Sequence, residues 1–176
     1  MGDAIQALQN DFGMKLRDDY IDFLRFAGAG LESSSLPVWS GVSEPSDGVD
    51  IDDVEEESED YWVREIARLW GVEELRFACE SAREGSGHFD CWHLELLPRA
   101  YPIGVGYGGD FFVQAVDGES AGNVFRIPHD EWPYDEVEDL FSLKTDELLD
   151  DLCANYAAED MRTFYATLCR LAGTKT

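Results

Sequence analysis

Residues Tyr101–Asp130 read YPIGVGYGGDFFVQAVDGESAGNVFRIPHD. Two apolar runs flank a polar turn. Phe111, Phe112, Val113, Ala115 and Val116 form the first, and Val124, Phe125 and Ile127 the second. Asp117-Gly118-Glu119-Ser120-Ala121-Gly122-Asn123 lies between them, so the pair predicts a β-hairpin with a longer loop. Ile103–Asp110 carries four glycines in eight residues. That run predicts a tight glycine loop leading into the first strand, because glycine accepts positive φ and close backbone approach. Asp110 is expected to bond backbone amides in this turn. The hairpin is the expected centre of a sheet, with helices supplied by the rest of the chain.

Upstream, Ile5, Leu8 and Phe12 share one side of a helix over Ala4–Phe12, which Gly13 can end. Tyr20, Phe23, Leu24 and Ala27 predict a second helix from Asp18 or Asp19 to a Gly28-Ala29-Gly30 stop. Leu36-Pro37-Val38-Trp39 reads as an edge strand, where proline is tolerated. Trp62, Ile66, Leu69 and Trp70 have helical spacing and predict a helix from about Glu55 to Leu69. Glu73–Arg83 fits a helix or a strand pair, and periodicity does not choose between them. Phe89–Leu97 reads as a strand. Beyond the hairpin, Leu140-Phe141 reads as a short strand and Thr145 as an N-cap. The last helices are expected over roughly Thr145–Ala158 and Ala158–Ala172, the second on Met161, Phe164, Leu168 and Leu171. The expected class is α+β, a central mostly antiparallel sheet flanked by helices, in a single domain over residues 1–176.

The 176 residues suffice for one sizeable core, and a composition 44% hydrophobic and 12% aromatic argues for a globule. The net charge of −25 opposes sequence-independent binding to nucleic acid or an anionic membrane. It favours a basic partner or high solubility. The start MGDAIQALQNDFG has neither a basic n-region nor an apolar h-region, and no run approaches the length of a membrane span. Cys79, Cys91, Cys153 and Cys169 are scattered, which suits buried, reduced thiols. A cytoplasmic protein is the expectation.

Three sections carry a family pattern. Leu16–Gly30, LRDDYIDFLRFAGAG, joins an acid-Tyr pair, a Phe-Leu pair and a glycine stop. Pro102–Phe111, PIGVGYGGDF, leads into the central strand. Gly122–Asp130, GNVFRIPHD, ends the next strand in a His-acid pair. With the acidic loop and the Leu148-Leu149 pair that follow, this ordered set resembles the SUKH superfamily. That group of small α+β proteins includes bacterial immunity proteins and a fungal cell-wall regulator. The match runs from about Phe12 to Leu152; it departs at Arg17, where the family commonly has proline, and says little about the long Ser43–Arg99 segment. The resemblance implies a non-catalytic, protein-binding role, in the bacterial branch usually neutralisation of a cognate toxin. The alternative of the same fold is a regulatory adaptor acting on a signalling partner.

Enzymatic readings are weaker. His88-x-x-Cys91-x-His93 offers three zinc donors, but a site needs a fourth ligand or water and converging geometry. A cysteine meeting His129 would need an activating environment that no cysteine shows in sequence. The glycine run lacks both the G-x-G-x-x-G fingerprint and the P-loop lysine. Neither a catalytic residue nor a cofactor or metal is expected.

The acids are the stronger signal. Ser43–Asp60 holds ten and His129–Asp151 another ten, against a single Lys144, so twenty of the 38 acids fall in 41 residues. Charge steers a basic protein to such a face and aromatics anchor it. The expected partner-binding residues are Tyr107, Asp130, Glu131, Trp132, Tyr134, Asp135 and Glu136, with Asp52, Asp53, Glu55 and Glu56 from the segment 43–60, which reads as a mobile loop. The expected partner is a basic cognate toxin, for which a nuclease is the candidate because toxins that bind phosphate carry positive charge. The protein itself is expected to be a monomer or weak homodimer. Asp110 and His129 read as fold residues.

Overall fold

The computed structural model describes residues 1–32, 36–37, 62–84, 96–129 and 142–172. Within them lie helices α1 (Gly2–Phe12), α2 (Asp18–Ala27), α3 (Val72–Glu84), α4 (Thr145–Asp151) and α5 (Met161–Ala172). The strands are β1 (Leu31–Glu32), β2 (Ile66–Leu69), β3 (Ala100–Gly106), β4 (Phe111–Ala115), β5 (Val124–Ile127) and β6 (Asn155–Ala158). They form one antiparallel sheet in the order β1-β2-β3-β4-β5-β6.

The hairpin read from the sequence is β4–β5, near the middle of that sheet. All five β4 residues are buried, so both faces of the sheet centre are covered. Alternation puts Phe112 and Gln114 on one face. Phe112 meets Phe164 of α5 at 5.5 Å between ring centroids. On that face Tyr20 of α2 stacks on Tyr101 of β3 at 5.4 Å, and Phe23 meets Tyr165 of α5 at 5.8 Å. Such offset and edge contacts add to the burial of large rings.

Gln114 is fully buried among these rings, and both its amide N–H groups and its carbonyl oxygen have partners. Its Oε1 accepts from the Tyr101 hydroxyl at 2.6 Å; its Nε2 donates to Asp19 Oδ2 and to the Gly122 carbonyl, each at 2.8 Å. The same Asp19 oxygen accepts from the Met161 amide at 2.9 Å, at the start of α5. Tyr101 in turn accepts from the Arg17 amide, at the start of α2, at 2.9 Å.

Several expectations are corrected. The glycine run is mostly strand: Gly104 and Gly106 belong to β3, and only Tyr107-Gly108-Gly109 make the turn to β4. Gly104 is required by close approach, since a Cβ there would sit 2.5 Å from the Arg68 carbonyl oxygen of β2. Of the predicted helix from about Glu55 to Leu69, the described part is instead a 3-10 turn, Val63–Glu65, followed by β2, and residues 55–61 lie outside the described residues. A register irregularity between Ile66 and Arg68 buries both Ile66 and Leu69, which gives a strand the three-residue spacing of a helix. Leu31–Glu32 forms the edge strand, while Leu36 and Pro37 lie in no strand; Val38 and Trp39 are outside the described residues. Glu73–Arg83 resolves to helix α3. Of the predicted strand Phe89–Leu97, Leu96 and Leu97 form a turn, and the rest lies outside the described residues, as does Leu140-Phe141.

At the C-terminal end, the expected helix over Thr145–Ala158 stops at Asp151, and Asn155–Ala158 is edge strand β6. The Ala pair disguised it, and the ring of Tyr156 packs edge-on against Phe125 at 6.0 Å. Thr145 is the first helical residue and not the cap; its hydroxyl donates to Asp117, while Glu147 accepts from the Lys144 amide at 3.0 Å.

Gly104→Ala is predicted to cost at least about 2 kcal/mol, because backbone on both strands has to part to admit the methyl group. A lower urea midpoint at unchanged m-value would confirm it; wild-type stability would show that β2 and β3 are not this close.

Candidate functional site

The turn between β3 and β4 is pinned from two sides. Gly106 N–H donates to the Asp110 carbonyl at 2.8 Å, and Tyr107 N–H donates to the Glu65 carbonyl at 3.0 Å. The second bond fastens the turn to the 3-10 turn of residues 63–65. The Tyr107 side chain is left 64% exposed, a large aromatic presented to solvent by rigid backbone.

Asp110 closes the turn, but its carboxylate does not bond the turn's own amides as expected. It reaches across to β5. Oδ2 accepts from Arg126 at 2.8 Å (Nε) and 2.6 Å (Nη2), and Oδ1 accepts from the His129 amide at 3.0 Å. His129 Nδ1 lies 3.1 Å from the same Oδ1. Burial by itself would raise the Asp110 pKa. The His129 amide and ring and the Arg126 guanidinium outweigh it and hold the carboxyl below its ordinary value. The Arg126 guanidinium also lies 4.3 Å above the Trp62 ring, a cation–π contact.

These contacts have a consequence for the acidic runs. Trp62 follows Ser43–Asp60 by two residues, and His129 opens the run to Asp151. Trp62, Arg126, Asp110 and His129 are joined by successive side-chain contacts. Trp62 and His129, which flank these runs in sequence, are therefore held at one corner of the sheet, near Tyr107, while Asp146 of the second run bonds the Glu119 and Ser120 amides of the β4–β5 loop.

Of the expected partner-binding residues, Tyr107 is placed at this corner. Asp52, Asp53, Glu55, Glu56, Asp130, Glu131, Trp132, Tyr134, Asp135 and Glu136 lie outside the described residues, as do His88, Cys91 and His93. The expectation of a mobile loop at 43–60 lies there too. The sequence reading missed Trp62 and Arg126 as the clasp. The available signal was an arginine inside the apolar strand Val124-Phe125-Arg126-Ile127, which needs a carboxylate if it is buried.

Among the described cysteines, Cys79 is buried, and burial pushes its thiol up to about 12, far from a reactive thiolate. Burial also raises Cys169. Cys153 is exposed, which corrects the expectation of buried thiols throughout. It sits in the turn between α4 and β6 with φ of 49°. No helix among the described residues is long and apolar enough to cross a membrane.

An antiparallel six-stranded meander carrying helices, with its Gly-Asp turn bonded to a His-ended strand, defines an α+β protein of SUKH type. The chain matches the model of the SMI1 / KNR4 family (SUKH-1) over residues 2–143, and it belongs to that family. Members of the superfamily bind partner proteins. No curated protein and no solved structure shows a significant match to the chain.

The lowered Asp110 pKa sets a pH dependence. A depressed carboxylate contributes stability above its unfolded pKa and loses it as pH falls through the folded value. Wild-type stability should therefore drop below the ordinary carboxylate range, and Asp110→Asn should flatten part of that acid limb. At neutral pH the variant should lose about 3 kcal/mol, since Arg126 is left mostly buried without its counter-charge. Urea titrations across pH would check both. An unchanged acid limb in Asp110→Asn would show that the pair is not coupled to folding.

Proposed function

We propose that this chain, as one domain spanning residues 1–176, is a non-catalytic cytoplasmic immunity protein that binds and neutralises a cognate toxin through an acidic face. The observation that carries this reading is that Trp62 and His129, which flank the two acidic runs in sequence, share one corner with exposed Tyr107. A concentration of one charge sign in the sequence on either side of this corner attracts an approaching basic protein and raises its association rate. Tyr107 supplies what charge does not: a stiff, amphipathic side chain that can be desolvated as an anchor and slow dissociation. A basic nuclease suits this face, because the cationic groove that holds phosphate is the part an acidic inhibitor covers.

The family role supports a protein partner, and the immunity function is the specific form that the charge favours. A regulatory adaptor of the same fold would bind a partner without inhibiting a toxin. Inhibition separates the two: the immunity reading requires loss of toxin activity at stoichiometric protein.

Surface plasmon resonance against the toxin encoded beside this gene provides the kinetic test. The on-rate should fall at least about tenfold between low and high salt. Neutralising Asp130, Glu131, Asp135 and Glu136 together should lower it and weaken its salt dependence. Tyr107→Ala should act mainly on dissociation, raising the off-rate about tenfold or more. An on-rate blind to salt and to the quadruple change would remove the acidic run from the interface.

A further inference from the structure

At the other end of β4 is a cleft of about 530 Å³, between the starts of α2 and α5 and the β4–β5 loop. Lys15, Arg17 and Asp18 line it on the α2 side, Glu159 on the α5 side, and Ala121 and Gly122 on the loop. Its floor is rigid, since Gln114, Asp19 and Tyr101 beneath it are mutually bonded.

The walls differ from the floor. Elsewhere among the described residues Arg25, Arg64, Arg68, Arg76, Arg126 and Arg162 all form ion pairs. In the cleft, the Lys15 ammonium and the Asp18 carboxylate make neither a hydrogen bond nor an ion pair among the described residues. The Arg17 guanidinium has only a long ion pair, Nε to Asp19 Oδ1 at 4.0 Å, and makes no hydrogen bond among the described residues; that Nε is buried against the face of Gly122. Glu159 uses one oxygen on the Thr163 hydroxyl, at 3.2 Å. Unused charges of both signs thus gather in one preformed cleft, in a protein whose basic residues are scarce.

We propose that this cleft takes a peptide segment of a protein partner, with a Lys or Arg side chain against Asp18 and Glu159 and backbone carbonyls on Lys15 and Arg17. A simple anion would leave the carboxylates facing it, and a metal or small amine would leave Lys15 and Arg17 unused. A peptide satisfies both sets, and the volume suits a few residues more than a single ion. The net charge of −25 makes a basic segment the peptide that the surrounding field attracts. The inference rests on the reading of this chain as a protein-binding module, but not on the Tyr107 corner.

The test is an NMR titration of the full chain with acetyl-Gly-Arg-Gly-amide. Amides of Ala121, Gly122 and Glu159 should shift with weak, saturable affinity. The matched norleucine peptide should bind about tenfold more weakly, as should the arginine peptide to Asp18→Asn/Glu159→Gln. Ala121→Trp, which fills the cleft, should abolish the shifts while its own spectrum reports an intact fold. Equal binding of the two peptides, or binding unaffected by the double substitution and by Ala121→Trp, would overturn the proposal. So would inorganic phosphate shifting these amides when the arginine peptide does not. The titration contains no partner protein, so an inert cleft leaves the Tyr107 corner standing, and failure of the toxin experiment leaves this result intact.

Discussion

A glutamine amide in the middle of a sheet has two N–H donors and a carbonyl acceptor, and once water is gone protein must supply their partners. Gln114 imposes that constraint here. Its partners come from four parts of the chain: Tyr101 on β3, Asp19 on α2, Gly122 in the loop, and, through Asp19, the first amide of α5. A helix displaced by an ångström breaks a bond whose loss is not repaid by solvent. The apolar rings around Gln114 supply the driving force for collapse. They specify orientation poorly, because Phe, Tyr and Leu pack in many ways. The polar network therefore fixes which packing is adopted, and with it the positions of both ends of β4.

What was legible in the sequence follows from how far each signal extends along the chain. Helices α1 and α2 were readable because their apolar stripes repeat over several turns and glycines follow them. The β4–β5 hairpin was readable because its two strands and its turn are contiguous. β2 was not, since its bulge produced a helix-like spacing that only the pairing with β3 explains. Strand β6 was hidden for a different reason. Four residues with two alanines carry helix propensity, and pairing with β5 overrides it. The glycine run shows the same limit. Its composition indicates close approach, but sequence alone does not say that the approaching backbone is that of β2.

At the candidate site, Tyr107 and the fold roles of Asp110 and His129 were legible, but the reach of the Asp110 carboxylate across to His129 and Arg126 was not, because a Gly-Asp turn in sequence points first to its own amides. The clasp was not. It joins residues 62 and 126 across 64 positions of chain, and neither Trp62 nor Arg126 carries a local mark of the other. The cleft was less legible still. Lys15, Arg17 and Asp18 look in sequence like ordinary charges before a helix, and only the structure shows them lining one cleft with Glu159 and the β4–β5 loop, with Lys15 and Asp18 making no ion pair among the described residues.

The two ends of β4 divide the polar work of the sheet. One end uses its charges on itself: Asp110, Arg126 and His129 satisfy one another, and Trp62 lies against them, so that corner is a fixed mount beside an exposed aromatic. The other end holds charges unspent in a preformed cleft. Five strand residues span roughly 17 Å. A partner surface of about 800 Å² is wider than that, so a single protein has the reach to engage both ends. On the proposed reading, steering by the acidic runs would then be separate from recognition by the cleft: long-range charge would set how fast a basic protein arrives, and the fit of one segment would add to the Tyr107 anchor in setting how long it stays.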